Sequence, residues 1–186
     1  MLYYIGYFPP KEFQDFYTDL ISDIGQRFQL DELVQRRRIP HITLKSPFEI
    51  SSTKSLKSLD KLISNFCQNQ KPSKIFVSGV GNFGEDVIFL NCQPSVQMTC
   101  TFNGLLCDLR NIKLISWSEY DNEDKKLHIT LAKKDELKGK FRDVFDYLST
   151  KYIDLVLPFD NMALFKKESG RNAVHRLYYL GSLVEI

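Results

Sequence analysis

Pro40-His41-Ile42-Thr43-Leu44-Lys45 and Leu127-His128-Ile129-Thr130-Leu131-Ala132-Lys133 carry the same tetrapeptide, His-Ile-Thr-Leu, at positions 41 and 128 of a chain of 186 residues. Each copy lies in an apolar, β-branched run that reads as a strand, and each is followed by a helical stripe. In an extended chain successive side chains alternate faces, so His41 and Thr43, with Lys45, share one face while Ile42 and Leu44 turn into a core. The same alternation sets His128 and Thr130 against Ile129 and Leu131. Strands of this kind hold an imidazole and a hydroxyl together over a packed apolar underside.

Working outward, Leu2 to Phe8 reads as a strand stopped by Pro9-Pro10. Pro10 to Phe28 then carries a helical stripe of Phe13, Phe16, Tyr17, Leu20, Ile21, Ile24 and Phe28. His41 to Ile50 is extended, and Ser51-Ser52-Thr53 offers caps for a helix with Leu56, Leu59, Leu62, Ile63 and Phe66 on one face. Lys74 to Ser78 and Asp86 to Asn91 read as strands joined by a glycine-rich turn, and Ser95 to Ile112 as a third helix. A short strand is expected at Ile112 to Trp117, a polar loop at 119–126, a strand at Leu127 to Ala132 and a helix at Asp135 to Tyr152. Strands around Ile153 to Leu157, Asn161 to Lys166 and Val174 to Leu183 close the chain. Alternating strands and helices with adjacent hairpins imply an α+β fold with largely antiparallel sheets, and with no linker-like stretch residues 1–186 read as one domain.

Composition narrows the function. Lys and Arg total 25 against 23 Asp and Glu, a net charge of +2, so no global electrostatic funnel for nucleic acid exists and any such contact must be local. Cys67, Cys92, Cys100 and Cys107 form no Cys-x-x-Cys pair, which argues against structural zinc and a disulfide scaffold and favours a reducing, cytoplasmic setting. The amino end lacks a charged leader and a small-residue cleavage site, and no run approaches the roughly 18 apolar residues of a membrane span.

Two histidines are what a phosphodiester reaction needs: a neutral ring takes a proton from the attacking oxygen, and a protonated ring gives one to the leaving oxygen. Two threonine hydroxyls can donate to the non-bridging phosphate oxygens and hold phosphorus between the rings. A single His-x-Thr would read as a satisfied strand residue, but two identical tetrapeptides use two of the three histidines in the chain.

These segments resemble the two-histidine (2H) phosphoesterases, which include 2′,5′ RNA ligase-like proteins and cyclic nucleotide phosphodiesterases. The amino-terminal strand-helix, Lys74-Ile-Phe-Val-Ser-Gly-Val-Gly-Asn-Phe83, Met162-Ala-Leu-Phe-Lys-Lys-Glu-Ser169 and Leu177-Tyr-Tyr-Leu180 extend the likeness over nearly the whole chain. The resemblance implies two pseudo-symmetric lobes of antiparallel β-sheet flanked by helices around a central cleft. It implies opening of 2′,3′-cyclic phosphates or related RNA-end phosphodiesters, with reversible 2′,5′ ligation as the same chemistry run backwards. By motif match His41 and His128 are the acid-base pair, with His128 the base and His41 the acid, and Thr43 and Thr130 bind phosphate. The family's arginine five residues after the second histidine is Lys133 here, which keeps the charge but loses the bidentate fork.

Weaker signals stand beside these. Gly79-Val-Gly-Asn-Phe-Gly84 matches a dinucleotide fingerprint but leads into Val87-Ile-Phe-Leu90, a second strand, and so reads as a hairpin turn. Arg36-Arg37-Arg38 reads first as a solvated loop and second as a guide for an RNA phosphate. Phe48 and Tyr178, or Tyr179, are candidates for stacking a base. Lys45 is a candidate phosphate contact, although a lysine at a strand end more often reaches solvent. His175 lacks a second ligand at useful spacing, so no metal is expected. No cofactor, membrane or obligate protein partner is expected; the partner is an RNA end or a cyclic nucleotide. The competing reading is a non-catalytic nucleotide- or RNA-binding module of the same fold.

Overall fold

The aromatic run at the amino end forms β1 (Leu2–Tyr7). Pro10 then caps α1 (Lys11–Phe28), its carbonyl accepting from Phe13 N and Gln14 N at 3.1 Å, which suits a residue that has no N–H of its own to lose. In the computed structural model, which describes residues 1–113, 115–168 and 171–181, the expected stripe of α1 is the buried one: Phe13, Tyr17, Leu20, Ile21 and Ile24. There follow α2 (Asp31–Gln35), β2 (Ile42–Glu49), α3 (Thr53–Gln68), β3 (Ser73–Phe83), β4 (Val87–Pro94) and α4 (Val96–Arg110). The chain then forms β5 (His128–Lys133), α5 (Lys134–Leu137), α6 (Phe141–Ser149), β6 (Asp154–Phe159), β7 (Asn161–Glu168) and β8 (Arg171–Tyr179). Ser52 accepts from Ser55 N at 3.1 Å and Ser95 from Met98 N at 3.3 Å, N-caps of the kind that stabilise a helix by about 1 kcal/mol.

The strands form two four-stranded antiparallel sheets, ordered β2-β1-β7-β8 and β5-β4-β3-β6. Helix α3 packs against β8 of the first sheet, and α4 and α6 pack against β3 of the second. Each sheet places a motif strand at one edge, and those edges, β2 and β5, meet. The two lobes do not divide the chain at its midpoint. The first sheet takes strands from both ends of the chain and the second takes the middle, so the repeat is one of sheet order rather than of consecutive halves.

Several local expectations are corrected. Ile112 to Trp117 is loop and turn rather than a strand, with Leu114 outside the described residues. The helix expected over Asp135 to Tyr152 is two helices, because Lys138 (φ 48) and Gly139 (φ 80) take the left-handed conformation and end α5. The strand expected to Leu183 starts earlier, at Arg171, and ends at Tyr179; Ser182 and Leu183 lie outside the described residues. Gly79-Val-Gly-Asn-Phe-Gly84 does lead into a hairpin, but Gly79 and Gly81 belong to β3 and the bend falls after Phe83. Helix α2 has no counterpart among the elements expected from the sequence.

Candidate active site

The two motif strands are built alike to the level of single residues. On β2, Ile42 pairs with Tyr7 and Thr43 with Gly6, and then Lys45 pairs with Ile5, leaving Leu44 as an extra residue. On β5, Ile129 pairs with Leu90 and Thr130 with Phe89, and then Ala132 pairs with Ile88, leaving Leu131 extra. A bulge therefore follows the threonine at the same motif position in both lobes, and it resets the alternation of faces beyond it. Upstream of each bulge the expected division holds: Ile42 and Ile129 are fully buried, and the histidine and threonine of each motif are only half-buried.

Each imidazole is held in the same way. His41 donates Nδ1–H to the carbonyl of Ile39 at 2.8 Å, and His128 donates Nδ1–H to the carbonyl of Lys126 at 2.9 Å. A carbonyl can only accept, so this bond fixes the tautomer and leaves both Nε2 atoms as the reactive positions. Two aromatic rings back each histidine. Tyr4 and Phe165 lie 5.0 and 5.1 Å from His41, while Phe83 and Phe89 both lie 5.0 Å from His128. A glycine sits beside a ring in each lobe: a Cβ on Gly6 would stand 2.6 Å from the Ile42 carbonyl oxygen and 3.2 Å from Phe165, and one on Gly81 would stand 2.6 Å from Phe89.

This environment sets the protonation of the histidines. Burial lowers the pKa of His41 to about 4, against the pull of the Ile39 carbonyl and with the charges of Arg38, His128 and Lys133 acting in the same direction as burial. Burial likewise lowers that of His128, assisted by Lys125 and Lys126 and opposed by the Lys126 carbonyl. The contact between β2 and β5 brings the two motifs side by side, and the charges of His128 and Lys133 on β5 add to the lowering at His41. The side-chain hydroxyls of Thr43 and Thr130 are bonded to no other described residue, and Lys133 is exposed at the end of β5.

Three sequence expectations fail here. Lys45 is opposite Ile5, beyond the bulge, and is fully buried, so it reaches neither phosphate nor solvent. Phe48 is opposite Tyr3 and only 1% exposed, and Tyr178 is 5% exposed with its hydroxyl donating to Asp60, so neither face is open to a base; Tyr179 is exposed. Among the described residues, the aromatic rings in contact with the two motif histidines are the four named above, of which Phe83 is 40% exposed. Phe83 and Phe89 belong to the hairpin of β3 and β4, and β4 pairs with the second motif strand.

Two ion-pair clusters flank the motifs. On one side Arg36 and Arg38 both reach the buried carboxylate of Glu136, Arg36 through Nε at 3.0 Å, and Glu136 also accepts from Lys133 N at 2.7 Å. On the other, Lys45 Nζ meets Asp121 Oδ2 at 2.8 Å and donates to Ser116 O at 2.9 Å, while Asp121 Oδ1 accepts from Ser46 N at 2.7 Å. Burial alone would push the Asp121 carboxyl up, but the Lys45 ammonium and the N–H groups of Ser46 and Ser118 outweigh it and hold it down at about 2. Tyr17 of α1 adds a third link by donating to Thr130 O at 2.9 Å.

Two antiparallel sheets that present matched His-x-Thr strands at meeting edges define a two-lobed, two-histidine class of protein. The sequence model of the 2′-5′ RNA ligase superfamily matches residues 9–171, and the chain belongs to that superfamily. The fold is shared with solved structures. Escherichia coli LigT complexed with 3′-AMP is 14% identical with a TM-score of 0.63, covering 97% of this chain and 98% of that one. TT0787 of Thermus thermophilus is 16% identical with a TM-score of 0.61 over the same shares, 97% and 98%. Usb1 of Kluyveromyces marxianus is 12% identical with a TM-score of 0.50, covering 96% and 98%. Comparison with curated protein sequences finds no match. Among the described residues no helix is long and apolar enough to cross a membrane.

Proposed function

We propose that the protein is a metal-independent phosphoesterase that opens a 2′,3′-cyclic phosphate on a nucleotide or an RNA end, with His41 and His128 as its acid-base pair. The observation that carries this reading is the matched tethering of both Nδ1 atoms to carbonyls two residues back, which frees two Nε2 atoms for one substrate. A neutral Nε2 takes a proton from water as its oxygen bonds to phosphorus. The bond from phosphorus to one ribose oxygen breaks, and the other Nε2 delivers a proton to that oxygen. Thr43 and Thr130 donate to the non-bridging oxygens, and Lys133 adds positive charge beside them. With a 5′-hydroxyl in place of water as the attacking group, the same step joins RNA ends.

The His41 ring, kept neutral by its burial and by the charges of Arg38, His128 and Lys133, suits the base; His128 is then the acid. This reverses the roles implied by resemblance. Solved structures of E. coli LigT complexed with 3′-AMP, with NADP+ and with ATP support a nucleotide as the ligand of this fold.

The test is incubation of purified protein, with EDTA present, against 2′,3′-cyclic nucleotides and cyclic-phosphate-ended RNA, with products read by phosphorus NMR. Phosphomonoester from the wild type and none from His41→Ala/His128→Ala supports the reading. Binding without product overturns it in favour of a non-catalytic module.

A further inference from the structure

A cavity of about 830 Å³ is walled by Arg36, Arg37, Arg38, Lys133 and Lys167 together with Ile39, whose carbonyl holds His41. Its size is within the range of small-ligand sites, yet neither motif histidine lines it, so it is a separate compartment joined to the site through Lys133. Three of its cations, Arg37, Lys133 and Lys167, have no carboxylate partner among the described residues, while Glu32 on the rim is paired with Lys138 at 3.1 Å. The backbone singles out Arg37. Its neighbours Arg36 and Arg38 both bind Glu136, and Arg37 between them takes a left-handed conformation, φ 43, that costs a side-chain-bearing residue energy and leaves it exposed. Arg38, half of that clamp, also keeps its Nε–H buried without an acceptor. Unneutralised charge, a strained cationic residue and an unused donor on one wall suit an anion that the protein itself does not supply.

We propose that this cavity binds a second phosphate of the substrate, beyond the one held between the histidines, with Arg37 and Lys167 as its specificity-determining contacts. This rests on the phosphoesterase reading for the identity of the first phosphate. The second phosphate belongs either to the next linkage of an RNA strand or to the polyphosphate of a single nucleotide, and in both cases a free cyclic mononucleotide leaves the cavity unfilled.

The test measures binding apart from turnover. A fluorescently labelled short oligoribonucleotide with a 3′-phosphate, adenosine triphosphate and a 2′-mononucleotide are titrated into wild type and into Arg37→Gln, Lys167→Gln and the double variant across a series of salt concentrations. The expected result is several-fold weaker binding of a multi-phosphate ligand in each single variant. For the oligonucleotide the salt dependence becomes shallower by about 0.7 per cation removed. The mononucleotide binds as before. Loss confined to the oligonucleotide assigns the cavity to an RNA strand, and loss for the triphosphate as well assigns it to a polyphosphate. Equal affinities of all ligands for wild type and variants overturn the proposal, as does equal loss for mononucleotide and oligonucleotide. A protein that binds as expected but turns nothing over retains the subsite and loses the catalytic reading.

Discussion

Lys45 Nζ lies 2.8 Å from Asp121 Oδ2 with both side chains wholly out of solvent, and the pair ties the strand of the first histidine to the loop that leads into the second. The Arg38–Glu136 pair makes the complementary tie from just before the first motif to just after the second. Both ties put the cation on the first motif's flank and the carboxylate on the second's. The distance between the two imidazoles is thus set by interactions that cross from one lobe to the other.

Lys45→Met leaves the Asp121 carboxylate buried, with Lys125, 3.5 Å away, its remaining cationic partner among the described residues. Chemical denaturation is expected to show a loss of about 3–5 kcal/mol, partly recovered in Lys45→Met/Asp121→Asn, where no unpaired charge remains. A single variant within about 1 kcal/mol of wild type would contradict the role given to this pair.

Arg38 acts on His41 as well as on Glu136, lowering the affinity of the imidazole for a proton. Removing that charge in Arg38→Gln therefore raises the His41 titration midpoint, followed by NMR of the ring protons, above the wild-type value of about 4. An unchanged midpoint would show that burial alone sets it.

Stability should fall in acid with a defined sign. An unfolded His41 takes up its proton near 6.5 and the folded one near 4, so between those values the unfolded chain binds more protons. The contribution is present in full above 6.5 and is lost as pH falls toward 4, in total about 3 kcal/mol. Asp121 adds a second loss, as its carboxylate is protonated between the ordinary 3.8 and about 2. Urea melts at stepped pH test this, and His41→Leu should flatten the upper part of the curve.

The rate profile follows from the same shifts. With His41 as base it must be neutral, above about 4, and with His128 as acid it must be protonated, below a pKa itself lowered from 6.5. The kcat/KM for a cyclic nucleotide should peak between those limits. A maximum on the alkaline side of 6.5 would contradict the assignment.

Gly81→Ala places a methyl group 2.6 Å from Phe89 and 2.7 Å from Asn91 Oδ1, so the ring behind His128 must shift. The expected cost is about 1–3 kcal/mol in stability, with a fall in kcat larger than that loss of folded protein explains. Wild-type kcat in a stably folded Gly81→Ala would show that the ring does not position the histidine.

Much of this architecture was legible in the chain. The strand-helix alternation, the cap at Ser52, and the shared face of His41 with Thr43 all follow from periodicity and local chemistry. The fate of Lys45 was not legible, because the bulge at Leu44 is a property of how β2 pairs with β1 and not of its own residues. The break between α5 and α6 was marked by Gly139, but the stripe of Leu137, Phe141, Val144 and Leu148 runs on across it. The ion pairs of Lys45 and Arg38 join residues far apart in sequence, and the rings behind the histidines come from neighbouring strands, so neither leaves a local pattern.

The most direct test of the central claim is the kcat of His41→Asn and of His128→Asn on a 2′,3′-cyclic nucleotide in the presence of EDTA, beside circular dichroism to verify the fold. Each variant should fold as wild type does and lose at least about 10² in kcat, the least that removal of a positioned acid or base is expected to cost. Near-wild-type turnover in either folded variant, or loss of wild-type turnover on adding EDTA, would contradict the two-histidine mechanism.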